Sequence, residues 1–398
     1  MKNVYIVSAC RTPIGRMGGA LKDVSAVDLA ALTLKEAMER AGVEASQVEH
    51  VVLGCVLQAA LGQNMARQAA LKAGLPVTST AETLNVVCGS GLESVITAAR
   101  MIECGEAEIV AAGGAENMSQ APFALKEDRF GYRMGYPMGK SNLIDTMVND
   151  ALWDAVNDYH MGITAENVAE QYGLSREALD AFSARSQEKT KIAVEKGAFK
   201  EEIVPVVVKN RKGDIIIDTD ENPRPETTVE SLAKLRPAFK PDGIVTAGNA
   251  SAINDGAACV ILASEEKVKE LGLKPLARFE GGALGGVDPS VMGIGPVAAV
   301  RKVFKRLSLT IDHMDLIEAN EAFAAQSLAV AKELAFPEDK LNVNGGAIAL
   351  GHPVGASGCR ILVTLLYAMK QRDAKKGLAT LCIGGGMGCA VVVDRNGL

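Results

Sequence analysis

A chain of 398 residues, 48% hydrophobic and 23% charged, is too long for one ordinary core and reads as two or three globular domains. Its formal net charge of −6 argues against a nucleic-acid binder, which would present a basic face, but leaves room for a local basic patch that holds one phosphorylated small molecule. Eight cysteines without a C-x-x-C pair, and only four scattered histidines, argue against a structural zinc site.

In chain order, Met1-Lys2-Asn3 runs straight into a strand at Val4–Val7. There is no charged-then-apolar leader, no Arg-rich presequence and no apolar run of membrane length, so a cytoplasmic protein with reduced thiols is expected. A helix is predicted over Asp28–Ala41, a strand over Val51–Gly54 and a second helix over Leu92–Cys104. In that second helix Leu92, Val95, Ile96, Ala99 and Ile102 form one apolar stripe, and Gly105 supplies the stop. A strand follows at Ile109–Ala112.

Residues 120 to 250 break this rhythm, gathering turn residues, charges and most of the tyrosines. Ser175 reads as the N-cap of an amphipathic helix containing Leu179, Phe182 and Ala193. Val204–Val208 and Asp214–Asp218 read as a hairpin around Arg211-Lys212-Gly213. The region is expected to be an excursion covering the sheet edge. The rhythm then resumes, with strands at Val260–Ala263, Leu316–Glu318, Thr380–Ile383 and Val391–Val393, and helices at Val297–Leu307 and Ile361–Gln371. The strands are apolar on both faces, as in the centre of a covered sheet.

The order of elements repeats. Gly89-Ser90-Gly91 opens a helix whose following strand ends in Gly113-Gly114; Ala356-Ser357-Gly358 opens a helix whose following strand ends in Gly384-Gly385-Gly386. Two βαβ-rich halves therefore imply a duplicated α/β unit, with parallel strands delivering loops to one edge.

Several residues in those loops carry chemistry. Cys88 precedes a helix, where the dipole and unpaired N–H groups would lower its pKa; a buried thiol acting as a small hydrophobe is the competing reading. His352 occupies the equivalent place in the second half, so the repeat would bring the two helix N-termini together and let the imidazole, near its usual pKa, take a thiol proton. An ordinary surface histidine is the alternative. Cys382 precedes Gly384-Gly385-Gly386-Met387-Gly388, as a reactive thiol or as a core residue before a tight turn. These glycines lack the G-x-G-x-x-G placement of a dinucleotide site. Asn320 can hold a water or donate to an oxyanion and Glu321 could orient a histidine, although both would also serve as caps. Cys10, Cys55, Cys104, Cys259, Cys359 and Cys389 are expected on apolar faces, and His50 and His313 at the surface.

Taken together, the Cys88 segment, Asn320-Glu321-Ala322-Phe323, the Gly345–Gly358 stretch and Cys382–Gly388 resemble the thiolase family in order and spacing over the whole chain. Tyr159-His160-Met161-Gly162 and Gly248-Asn249-Ala250-Ser251 are similar to its short-chain acetyl-CoA acetyltransferase branch. The resemblance implies an α/β fold of two packed halves in αβαβα layers with an inserted loop domain. The first half would be 1–119 plus 252–273, the loop domain 120–251 and the second half 274–398.

It also implies roles. Cys88 would be the acylated nucleophile, His352 its activator and Cys382 the acid/base. Asn320, through a water, and His352 would form an oxyanion hole for the enolate. The N–H groups of Cys88 and Gly384 would form a second. Ser251, His160, Leu152, Met161 and Arg224 match positions that hold coenzyme A, and Met292 and Phe323 would bound the acyl pocket. No metal and no cofactor are expected, coenzyme A thioesters being substrates, and a homodimer or homotetramer without nucleic-acid or membrane partners is implied. Ala252 stands where glycine is usual and Cys359 where alanine is common. The rival readings are a 3-ketoacyl-CoA thiolase for longer chains, a non-catalytic acyl-CoA-binding protein, and a nicotinamide dehydrogenase.

Overall fold

The apolar runs of the first half become strands β1 (Val4–Arg11), β2 (His50–Gly54), β3 (Thr80–Leu84), β4 (Ile109–Asn117) and β5 (Asn254–Ser264). Those of the second half become β6 (Ala277–Gly286), β7 (Leu316–Ala319), β8 (Lys376–Ile383) and β9 (Met387–Asp394). The computed structural model describes residues 2–126, 143–211 and 213–398. Met1, the stretch 127–142 of the expected excursion and Lys212 of the expected hairpin turn lie outside the described residues.

Two of these strands have no strand signal in the sequence. Strand β3 is a half-exposed edge strand with Thr80 and Glu82 facing out, so it lacks the continuous apolar run of a central strand. Strand β6 carries four glycines, which usually weaken a strand. Here they admit a helix: a Cβ on Gly285 would lie 2.4 Å from the Ala299 nitrogen.

The strand order is β3-β2-β4-β5-β1 in one half and β7-β8-β9-β6 in the other. A parallel bridge between Ile317 and Leu341 stands where β3 would have its counterpart. Strand β2 runs parallel to β3 and β4, and β7 parallel to β8. The expectation of parallel strands fails for the last strand of each half, because β5 and β9 are antiparallel to both neighbours. For β9 the cause is local. The short Gly384–Gly386 turn can only reverse the chain, whereas a parallel partner needs a long crossover. Strands β1 and β6 also pair at Tyr5↔Arg278 and Ile6↔Ala277, joining the halves.

The principal helices are α1 (Ala26–Ala41), α2 (Met65–Lys72), α3 (Ser90–Cys104), α4 (Met161–Tyr172), α5 (Arg176–Glu195), α6 (Gly295–Leu307), α7 (Ala324–Glu333) and α8 (Val354–Gln371). Helix α1 packs outside the first half-sheet and α6 outside the second. Helices α3 and α8 pack on each other and touch strands of both half-sheets, so the layers run αβαβα. Every residue of α8 from Val354 to Met369 is buried, the pattern of a helix covered on all sides. Gly91 and Gly358 let the two central backbones meet. A Cβ on Gly91 would lie 2.8 Å from the Cys359 nitrogen, and one on Gly358 would lie 2.4 Å from the Leu92 nitrogen.

Helix α5 begins as expected, with Ser175 accepting from the Ala178 N–H. The hairpin pairs Val206–Val208 with Ile215–Ile217. Two surface assignments need correction. Cys104, the last residue of α3, is exposed rather than packed, because the helix ends there at left-handed Gly105. His50 is half-buried in β2, with Nδ1 2.6 Å from Thr80 Oγ1 across the ladder. Among the described residues no helix is long and apolar enough to cross a membrane.

Candidate active site

The duplicated topology brings the N-termini of α3 and α8 to one cavity of about 470 Å³, within the usual size of a small-molecule site. Ten of the residues given a catalytic or binding role in the sequence line it: Cys88, His352, Gly384, Ser251, His160, Leu152, Met161, Arg224, Met292 and Phe323. Asn320 and Cys382 lie just behind its wall. Asn320 Nδ2 is 3.4 Å from His352 Nδ1, and Cys382 is fully buried in a cluster with Met161, Met292 and Phe323.

Cys88 is presented by a strained turn. Val87 has φ +48°, a left-handed conformation that is a true outlier for a β-branched residue. The turn is held from several sides. Ser90 Oγ accepts from the Val86 N–H (2.9 Å) and donates to the Val87 carbonyl (2.7 Å), while Asn85 Oδ1 accepts from the Val87 N–H (2.9 Å). Neither the strain nor the Ser90 clamp was legible in the sequence, where Cys88 reads only as the residue before a helix. Another unforeseen feature is the π-helical turn Val148–Leu152, which carries Leu152 to the cavity.

The sequence led us to expect a thiol with a lowered pKa. Burial instead pushes Cys88 up to about 11, and the backbone of Gly384 and of Cys88 itself only partly opposes this. Cys88 is 9% exposed, so desolvation outweighs the helix terminus. Cys382 is driven up by burial and then by the neighbouring Cys88. His352 moves the other way, down to about 3, through burial and then the charge of Arg360. It does not keep its usual pKa. At neutral pH the site therefore holds two thiols and a neutral imidazole.

The tautomer of that imidazole follows from its neighbours. Ser357 Oγ lies 2.5 Å from His352 Nδ1 and donates its own proton to the Pro353 carbonyl (2.9 Å). It must therefore accept from Nδ1–H, which leaves Nε2 with a free lone pair as the basic atom. Glu321 does not orient the histidine. It accepts from Ser186 Oγ (2.6 Å), Asn342 Nδ2 (2.9 Å) and the Ile348 N–H (3.2 Å), fixing the loop upstream. Glu116, unremarked in the sequence, accepts from the N–H groups of Val56, Leu57 and Gly355, at 3.0, 3.0 and 2.9 Å. It ties the first half to the start of α8; burial raises it to about 6.

The excursion supplies the outer wall. His160 caps α4, its Nδ1 accepting from the Gly162 N–H (3.0 Å), and stacks on Phe239 with centroids 4.7 Å apart. Phe239 in turn meets Phe323 edge-on at 6.2 Å. Exposed Arg224 and Arg16, the latter not singled out in the sequence, stand at the rim. The cavity is thus apolar inside and basic at its mouth, which suits a ligand with an apolar end and a phosphorylated end. Ala252 is exposed on the lining, and Cys359 is fully buried against α3, away from it.

Fold and site together define a mixed α/β protein of duplicated halves, each presenting one reactive side chain, a thiol or an imidazole, to a shared pocket. Residues 4–266 match the family described as "Thiolase, N-terminal domain" and residues 273–395 the one described as "Thiolase, C-terminal domain". The chain belongs to the thiolase family. It is 59% identical over 395 residues to the acetyl-CoA acetyltransferase of Syntrophomonas wolfei, covering 99% of both chains. The crystal structure of the Bacillus anthracis acetyl-CoA acetyltransferase superposes with a TM-score of 0.96 at 47% identity, covering 99% of each chain. That of human mitochondrial 3-ketoacyl-CoA thiolase does so with a TM-score of 0.95 at 43% identity, again covering 99% of each.

Proposed function

We propose that this thiolase is an acetyl-CoA C-acetyltransferase that reversibly joins two acetyl-CoA into acetoacetyl-CoA and free CoA. The observation that carries the reading is the placement of Cys88, His352 and Gly384 on one cavity. His352 Nε2 takes the Cys88 proton, and the thiolate attacks the thioester carbonyl carbon. The resulting oxyanion is met by the N–H groups of Cys88 and Gly384. As the tetrahedral intermediate collapses, the carbon–sulfur bond to CoA breaks and Cys382 protonates the departing thiolate, leaving acetyl-Cys88.

Cys382 is then itself a thiolate. Because burial disfavours that charge, it is a strong base for the α-proton of a second acetyl-CoA. The enolate oxygen is met by His352 and by Asn320 acting through a water. The enolate carbon attacks the acyl carbon, the bond to Cys88 breaks, the proton held on His352 returns to the Cys88 sulfur while Cys382 keeps the proton taken from the α-carbon, and acetoacetyl-CoA leaves. Ser251, His160, Leu152, Met161 and Arg224 hold CoA, a thioester substrate, so that no cofactor or metal is required.

The first division of labour proposed here is between residues 1–119 with 252–273 and residues 274–398, which carry the chemistry, while 120–251 cover CoA. Edge strand β3, with no strand on its outer side among the described residues, supports self-association as a homodimer or homotetramer, since open edges are ordinarily covered. The cytoplasm, with its reduced thiols, is the proposed location.

Buried Met161, Met292 and Phe323 close the acyl end and support acetoacetyl-CoA over longer β-ketoacyl chains. The test is thiolysis of acetoacetyl-CoA against a six- to ten-carbon series, with chain lengths roughly spanning the pocket range. A preference of at least about tenfold in kcat/KM, roughly 1.4 kcal/mol, for the short substrate is expected. Equal or faster cleavage of the long ones would favour the fatty-acid enzyme.

A further inference from the structure

Behind the catalytic residues sits an arginine that the chemistry above does not use. Arg360, on α8, is 1% exposed. Its Nη2 donates to Asn320 Oδ1 at 3.3 Å. Its Nε and Nη1 make no hydrogen bond among the described residues, and neither does the buried Glu318 Oε1 on β7. Glu318 is the acidic group that acts most strongly on Arg360, but burial raises its carboxyl to about 8, so it is largely uncharged at neutral pH and does not neutralise the guanidinium. A buried guanidinium with one long hydrogen bond is costly to keep, and such incomplete satisfaction calls for a role other than stability.

The neighbouring amide supplies one. The backbone of Asn320 is fixed, its N–H donating to the Thr380 carbonyl (3.0 Å) and its carbonyl accepting from Gln326 Nε2 (3.3 Å). Its side chain still has two orientations, because Oδ1 and Nδ2 can exchange by a half-turn. The guanidinium can only donate, so the oxygen must face Arg360. That leaves Nδ2, the donor, on the side of His352, 3.4 Å from Nδ1. An amide turned the other way would present an acceptor there and take up one of the hydrogens of the water through which Asn320 meets the enolate.

We infer that Arg360 is a positioning residue, which sets the amide of Asn320 so that its N–H₂ serves the enolate hole. This rests on the thiolase reading. It also separates the two half-reactions, because Asn320 is assigned to the enolate and not to acylation of Cys88.

The experiment measures, for Arg360→Met, Asn320→Ala and the double variant, both the condensation rate and the rate of Cys88 acetylation by acetyl-CoA. Arg360→Met is expected to slow condensation about 10²-fold, the usual loss of one oxyanion donor, with acetylation changed less than roughly tenfold and the KM for acetyl-CoA little altered. In the Asn320→Ala background Arg360→Met should add almost nothing, since the residues act as one unit. Arg360→Lys, which keeps the charge but not the planar fork, should behave like Arg360→Met and is read in its place if the methionine variant does not fold. Multiplicative losses in the double variant, equal losses in both half-reactions, or a wild-type rate for Arg360→Lys would each overturn the inference. A wild-type enzyme that never acetylates Cys88 would overturn the thiolase reading, and this role with it.

Discussion

The two central helices hold equivalent places in the duplicated fold but deliver their reactive groups differently. Ahead of α3, the sharp turn falls on Val87 with φ +48°, and polar clamps from Ser90 and Asn85 hold it there. Ahead of α8, the turn falls on Gly351 with φ +111°, a conformation only glycine adopts at ease, and Asn254 Oδ1 anchors His352 through its N–H at 2.8 Å. The first half stores strain beside the nucleophile; the second avoids it beside the base. Duplication therefore fixes where the helix termini meet, while the loop residues decide what chemistry each terminus performs.

The comparison can be broken at either loop. The largest effect is expected from His352→Asn, which removes the base and should lower condensation roughly 10²–10⁴-fold. The same variant tests the imidazole's burial. The folded pKa lies below the ordinary 6.5, at about 3, so the unfolded chain binds more protons and stability falls as pH drops through that window. From about pH 7 to about pH 5 the wild type should lose about 2 kcal/mol on this account. Urea melts of His352→Asn should show that much less pH dependence, and an unchanged dependence would deny that the histidine is buried neutral.

Gly351→Ala comes next. The new Cβ would lie 2.6 Å from Asn254 Cγ on a backbone alanine resists, and a loss of about 2–3 kcal/mol is expected in denaturant unfolding. Ser357→Ala removes the partner that selects the Nδ1–H tautomer. One hydrogen bond of about 1–1.5 kcal/mol should translate into roughly a tenfold slower Cys88 acetylation, with KM nearly unchanged. The smallest effect, and of opposite sign to Gly351→Ala, is that of Val87→Gly. Relief of left-handed strain should leave the protein as stable as the wild type or up to about 1 kcal/mol more so, while a less fixed turn slows acetylation. Equal signs in the two loops would erase the contrast.

Much of this was legible in the residues. The stripe of Leu92, Val95, Ile96, Ala99 and Ile102 with its Gly105 stop, and the repeated glycine-flanked helix starts, point to α3, α8 and the duplication, because apolar period and turn chemistry are local. Polar edge strand β3 and glycine-rich β6 were not legible, since what makes them strands is their neighbours. Within the site, the identity of Cys88 and His352 could be argued from helix starts. The protonation state of both could not, because desolvation depends on what packs over them. Glu116 and Arg360 were invisible because their meaning lies in partners far along the chain, whereas Ser357 is only five residues from His352 and its role follows from the turn of the chain between them.

The most direct test of the central claim is the intact mass of the protein after incubation with acetyl-CoA and removal of free CoA, in wild type and in Cys88→Ala. The wild type should gain one acetyl group, located at Cys88, and the variant none. An unmodified wild type, or the same gain in both proteins, would contradict Cys88 as the nucleophile.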